Sequence, residues 1–378
     1  MARVDITPYL KGINNMLDLT SVLSSGEKAV YNLRQLYMGY GYSQYKMSKF
    51  EEYDLYVRNK DYLVSDSVIT FNDTDGKLLA LKPDVTLSII KNGKDEPSGL
   101  QKVCYGENVY RPSEGTRAFK EIMQVGLECQ GDIDDYVILE VLTLALKSLE
   151  KISDDYALDI SHLQIVSCVL DDANLSSEGK KQILTAFGQK NLKEVLDVCA
   201  ENSVSERETN LLKELLTTYG SIDKVMPKLE KLQLTGLAKQ AFDKLKLILN
   251  QLSKTSDTTK INVDFSVVNN MNYYNGIVFK GFVSGLANGI LSGGQYDTLM
   301  HKMGKKSGAI GFAVYLDQLE KLSKDTNCYD VDVVVLYDQN SSLQSVSDTV
   351  EKIKKGGESV LAIKVLPQRL KYKRLIKV

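Results

Sequence analysis

Histidine is nearly absent from this chain: 378 residues contain two, His162 and His301. That scarcity argues against a histidine-based nucleophilic triad. The five cysteines, at positions 104, 129, 168, 199 and 328, form no CxxC pair. With two histidines they supply no zinc site of the usual ligand spacing, and they read as reduced, buried thiols. Excess charge is missing too. Lysine and arginine (47) nearly balance aspartate and glutamate (49), so a net charge of −2 gives no global field to draw nucleic acid or an anionic membrane. The N-terminal MARVDITPYL has no apolar h-region, and no apolar run approaches a membrane span, so a cytoplasmic chain is expected. Neither GxxxxGK[ST] nor GxGxxG occurs, which excludes P-loop and Rossmann nucleotide sites at motif level.

What is there is ample apolar content, 43%, enough for two or three domains with a sizeable core. Residues 14–40 read as one long helix with Leu19, Val22, Leu23, Val30, Leu33 and Leu36 on its apolar side. From 42 to 131, short strand-like stretches alternate with Gly, Asp and Pro. DDYVILEVLTLALKSLEKI returns to helical period, and LDISHLQIVSCVL reads as a strand and a turn. Residues of about 172–256 are helical throughout, and KTSDTTK follows as a polar linker. Strands resume with INVDFSVV, YYNGIVFKGFV and NGILSGGQYD, and Leu316, Leu319 and Leu322 mark a closing amphipathic helix. VDVVVLYD, SDTVEKIKKG and ESVLAIKVL form a small α/β unit. The predicted fold class is α+β: an antiparallel sheet core over 1–325 with a helical insertion, plus the C-terminal α/β unit at 326–378.

Three stretches can carry chemistry. LALKPDVTLSIIKN places Lys82, Asp84 and Thr86 at alternating positions after an apolar strand, where period two aims them to one side. A carboxylate and a hydroxyl there can receive an ammonium group; a solvated turn around Pro83 is the alternative. YGENVYRPSEGTRAFKEIMQVGLECQG reads as a hairpin with Arg111 at the end of its first strand. In the second strand Gln124 and Glu128 share a face with Gly126 between them, leaving room for a ligand to approach the backbone. Glu128 in the apolar VGLEC context is costly to bury without a cation or a donor, and an internal ion pair with a nearby lysine is the alternative. MNYYNGIVFKGF offers Tyr273 and Tyr274, one expected inward and one outward, and GGQYD reads as a tight turn.

In combination these elements resemble the catalytic core of class II aminoacyl-tRNA synthetases, specifically the histidyl-tRNA synthetases. KPDVT is similar to that family's Arg-Pro-Glu-Gly-Thr element, and VYR with FKEIMQVGLE to its motif 2. YYNGIVFKGF and GGQYD resemble the histidine-binding strand and the turn after it, and GAIGFAVYLDQLEKL resembles motif 3. The resemblance covers about 1–325, and it comes with departures. The motif 3 arginine that binds the ATP γ-phosphate falls at Gln318, with Asp317 for the glutamate before it. The second catalytic arginine falls at Asn269, and the motif 1 proline at Ser48. Losing one preorganised charge contact of this kind costs on the order of 10²–10³ in rate.

The resemblance therefore implies an amino-acid pocket without adenylation. Asp84, Thr86 and Gln124 would hold the α-amine of free histidine, Glu128 and Tyr274 its imidazole with Tyr273 beside them, and Arg111 its carboxylate. No catalytic residue, metal or cofactor is implied. This pattern resembles the regulatory-subunit family of the short-form ATP phosphoribosyltransferases, in which such a chain accompanies the catalytic subunit in the first step of histidine biosynthesis. The implied partners are free histidine, that catalytic subunit, and a second copy of the chain within a larger hetero-oligomer. A divergent histidyl-tRNA synthetase is the alternative. The C-terminal unit resembles a curtailed anticodon-binding domain ending in the basic QRLKYKRLIKV, and no tRNA partner is expected from the overall charge.

Overall fold

The computed structural model describes residues 23–63, 67–95, 98–112, 118–267, 273–317, 319 and 329–378. It divides into two compact units, residues 1–320 and 321–378. The strands of the first are β1 (Ser43–Gln44), β2 (Phe50–Glu52), β3 (Thr70–Asn72), β4 (Leu78–Leu81), β5 (Leu100–Pro112), β6 (Phe119–Gly131), β7 (Tyr156–His162), β8 (Tyr219–Ser221), β9 (Ile261–Asp264), β10 (Ile277–Val283), β11 (Leu291–Gln295) and β12 (Gly308–Tyr315). Nine of them build one sheet in the order β1-β5-β6-β12-β11-β10-β7-β9-β8, and β2-β4-β3 form a small second sheet. The central ladders from β5 to β7 are antiparallel; β1 joins β5 and β9 joins β7 in parallel.

The alternation along β6 explains the two faces of this sheet. Val125, Leu127 and Cys129 point one way, with Ile310, Phe312 and Val314 of β12 beside them, all buried. Helices Ser25–Gly39 and Asp135–Glu150 cover that face, and Tyr37 meets Phe312 edge-on at 5.8 Å. Each large apolar side chain buried there contributes about 1.5–3 kcal/mol. The opposite face carries Gln124, Gly126, Glu128 and Gln130, with Gly311 and Ala313 alongside. It is polar, and Gln124, Glu128, Gly311 and Ala313 on it line the site.

The helix expected over 14–40 begins at Ser25. Ser24 closes a capping box with Glu27, in which each side chain accepts from the other's backbone N–H. Leu19 and Val22 lie outside the described residues. Residues 163–172, expected as a turn, are a helix that opens directly from β7 at His162. The insertion folds as five helices, Ser177–Gly188, Leu192–Glu201, Glu206–Thr217, Ile222–Leu229 and Gly236–Thr255. It also contributes β8, a short strand that extends the sheet edge through β9. GAIGFAVY, read as a lead into a helix, is strand β12, and most of the amphipathic segment after it, Leu322 included, lies outside the described residues. Among the described residues no helix is long and apolar enough to cross a membrane.

The second unit contains β13 (Val331–Leu336), β14 (Val360–Ile363) and β15 (Tyr372–Lys377), a parallel sheet in the order β14-β13-β15. Val333, Val335, Val360 and Ala362 pack with Ile353 of helix Leu343–Lys355. The stretch read as a basic tail is the third strand. Lys373 pairs with Asp332, and Arg374 with Glu358 at 2.5 Å.

Candidate functional site

The front row of the sheet forms the floor of a pocket of about 60 Å³, room for several water-sized groups. Glycines create it. Gly311 of β12 lies directly opposite Glu128 of β6, and a Cβ there would overlap the Glu128 carboxylate. Gly126 lies opposite Tyr105 of β5, and the Tyr105 phenol occupies the space a Cβ would take. Gly126 was expected to admit a ligand to the backbone; instead it admits this ring. The walls are Asp84, Thr86, Arg111 and Gln124 with the tyrosines 62, 105, 273, 274, 296 and 315.

Glu128 sits at the base, 2% exposed. Thr86 Oγ1 donates to one carboxylate oxygen at 2.8 Å, and the Tyr296 hydroxyl to the other at 2.6 Å. No lysine pairs with it among the described ion pairs, so the internal salt bridge considered as its alternative is not formed there. Burial pushes the carboxyl up to about 8, the two hydroxyl donors pull it down less, and the Asp84 charge adds to the rise. At pH 7 this carboxyl is therefore neutral, and a cationic group beside it would favour its ionised form.

Asp84 lines the same pocket, and its Oδ1 accepts from the Leu87 N–H at 2.9 Å at the start of helix Thr86–Asn92. Burial raises its carboxyl, against the pull of Arg111. Arg111 Nε donates to the Pro83 carbonyl at 2.6 Å, and its Nη2 lies 3.7 Å from Asp84. Gln124 is 2% exposed, and its Nε2 donates to no described group. A buried amide of this kind costs about 1–3 kcal/mol unless something accepts from it. Lys82 does not join the site. Pro83 ends the strand period, and the fully buried Lys82 pairs with Glu107 at 2.6 Å. Tyr273 and Tyr274 were expected on opposite sides; both line the pocket, their rings 4.6 Å apart. Burial holds both hydroxyls far above their ordinary range, so they stay protonated donors.

A sequence model of the histidyl-tRNA synthetase family matches residues 21–319. The chain belongs to that family. A curated relative from Clostridium kluyveri, the ATP phosphoribosyltransferase regulatory subunit, is 29% identical over 303 residues, 78% of this chain and 77% of its own length. Among solved structures, an ATP phosphoribosyltransferase regulatory subunit/histidyl-tRNA synthetase from Bacillus halodurans superposes with a TM-score of 0.76 at 21% identity, covering 93% of both chains. The Thermotoga maritima ATP phosphoribosyl transferase (HisG:HisZ) complex contains a chain similar at a TM-score of 0.62 and 18% identity, covering 78% of this chain and 98% of that one.

Within this histidyl-tRNA synthetase family member, all seven residues singled out from the sequence (Asp84, Thr86, Arg111, Gln124, Glu128, Tyr273 and Tyr274) line one pocket. Gln318 and Asn269, which stand where the synthetases carry arginines, lie outside the described residues. Tyr105 and Tyr296 were missed. Tyr105 shares period two with Glu107 and Arg111, a signal that was available. Tyr296 was hidden because GGQYD reads as a turn, whereas Leu291–Gln295 is strand β11 and Asp297 opens a helix. His301 is exposed, in that helix. Cys104, Cys129 and Cys199 are buried free thiols and Cys168 is half-buried, while Cys328 lies outside the described residues. Among the described residues no cluster could hold a metal ion.

Proposed function

We propose that this chain is the regulatory subunit of an ATP phosphoribosyltransferase, acting with a separate catalytic subunit in the first step of histidine biosynthesis. It performs no catalytic turnover, and it senses free histidine through the pocket. The observation that carries this reading is Glu128: a buried acid held by Thr86 and Tyr296, lining a tyrosine-walled cavity together with Asp84. Free histidine presents two nitrogenous groups and a carboxylate. Glu128 suits the imidazole, Asp84 the α-ammonium and the Arg111 guanidinium the carboxylate; Gln124, expected at the α-amine, carries an unpartnered Nε2 donor that suits the carboxylate instead. Thr86 acts one step back, by orienting Glu128.

Gln318 and Asn269 supply no fixed positive charge for a forming adenylate and pyrophosphate. The name of the Clostridium relative supports the regulatory assignment, and the Thermotoga complex supports partnership with a catalytic chain. The chain works as a homodimer inside that hetero-oligomer, and sedimentation of the purified chain as monomer alone at micromolar concentration would contradict this. The deciding experiment reconstitutes the chain with a short-form catalytic subunit. Phosphoribosyl transfer should require this chain and be inhibited by histidine. Robust histidine-dependent ATP–pyrophosphate exchange by the chain alone would favour the divergent synthetase instead.

A further inference from the structure

The turn that carries Tyr273 and Tyr274 is tied to the end of β11 by a set of bonds that the pocket chemistry does not use. The Asn275 N–H donates to the Gln295 carbonyl at 3.0 Å, and the Ile277 N–H donates to Gln295 Oε1 at 3.0 Å. Gly276 has no side chain because the Gln295 amide fills that space. Beyond it, Asn275 and Asp297 bond reciprocally: the Asp297 N–H donates to Asn275 Oδ1 at 2.9 Å, and Asn275 Nδ2 donates to Asp297 Oδ2 at 3.3 Å. The other Asp297 oxygen accepts from the Ala309 N–H of β12 at 2.9 Å. Between Gln295 and Asp297 stands Tyr296, whose hydroxyl holds Glu128.

We infer that Asn275 and Asp297 are positioning residues for the ligand: their reciprocal clamp sets the tyrosine pair against the wall that Tyr296 and Glu128 form. The Asp297 side chain reaches both sides, taking β12 on one oxygen and the tyrosine turn on the other. The pocket is small and its tyrosine rings lie in contact, so a turn free to shift by a fraction of an ångström changes the fit of any ligand. This inference rests on the reading of the pocket as a histidine site.

An exchange of the two residues tests it. Asn275→Asp sets a carboxylate against the Asp297 carboxylate. Asp297→Asn keeps the bond from Ala309 but sets an NH2 against the Asn275 NH2. The double exchange N275D/D297N restores donor to acceptor in both bonds. Two readouts are taken: histidine affinity by calorimetry, and deuterium uptake by the peptide spanning 273–283. Each single change should weaken histidine binding by about two- to tenfold and raise uptake, and the double exchange should recover both. Single variants that bind histidine as the wild type does would overturn the inference and leave the histidine reading standing. A wild-type chain that binds no histidine would overturn that reading and the inference with it, even where uptake follows the exchange.

Discussion

Replacing Glu128 by glutamine should shift relative stability in favour of the glutamine protein as pH rises. In the fold the carboxyl titrates at about 8, against an ordinary value of 4.5. Between those two values the folded state keeps a proton that the unfolded chain has lost. Stability from this group is therefore complete below pH 4.5, falls as pH rises towards 8, and is flat above it. From 4.5 to 7 the loss amounts to about 3 kcal/mol, a large share of the 5–15 kcal/mol typical of a domain. Glu128→Gln keeps the shape and has no proton to lose. The measurement is urea denaturation of both proteins at several pH values, read as the difference in unfolding free energy. Groups that do not interact with Glu128, such as His162, largely cancel in that difference. It should widen by about 3 kcal/mol between pH 4.5 and 7. A difference that stays constant over that window would show that Glu128 is ionised in the folded protein without histidine, and the picture of a buried neutral acid would fail.

The same substitution should weaken histidine binding by about ten- to a hundredfold, the worth of a charge-assisted hydrogen bond, while activation of the catalytic subunit persists; unchanged binding in calorimetry would mark the pocket as vestigial. Histidine binding to the wild type should be level between pH ~6.5, where free imidazole titrates, and about 8, where Glu128 does, because the bound pair holds one proton that one partner already carries in that window. It should weaken about tenfold per pH unit beyond either edge, and a monotonic profile would refute the shared proton. His162, which burial lowers to about 4, loses stability in the other direction, as pH falls from ~6.5 to 4. His162→Phe should remove that acid-side loss in denaturation curves. Lys82→Met should destabilise by about 3–5 kcal/mol by stranding the Glu107 carboxylate, and a loss below 1 kcal/mol would show that the pair is solvated.

The sequence made parts of this site legible where its period was unbroken. Gln124, Gly126 and Glu128 alternate with Val125, Leu127 and Cys129, so the polar face of β6 could be read directly. Around Lys82 the reading failed because Pro83 ends strand geometry and a helix begins at Thr86, which sends Lys82 to Glu107 while Asp84 and Thr86 turn towards the pocket. Strand β11 was read within NGILSGGQYD, but its GGQYD end was taken for a turn, because two successive glycines, Gly293 and Gly294, carry no side chain from which a period can be counted. In the fold they are needed because Phe279, Phe312 and Tyr274 come too close for any Cβ. The Asn275–Asp297 clamp could not be foreseen at all, since nothing in either segment marks the other as its partner.

The β6–β12 ladder also sets when this site can come into being. Gly131 pairs with Gly308, and Gln124 with Tyr315, so the Glu128 floor waits for a strand that follows the whole helical insertion. Closing a loop of that length must precede any reward from the contacts it brings, which slows folding. During synthesis the acid at 128 is made early and remains without Gly311 or Tyr296 until the ribosome has passed β12. A nascent chain released short of that strand would own most of the wall residues and none of the pocket, and the newly exposed edge of β6 would be open to pairing with other chains.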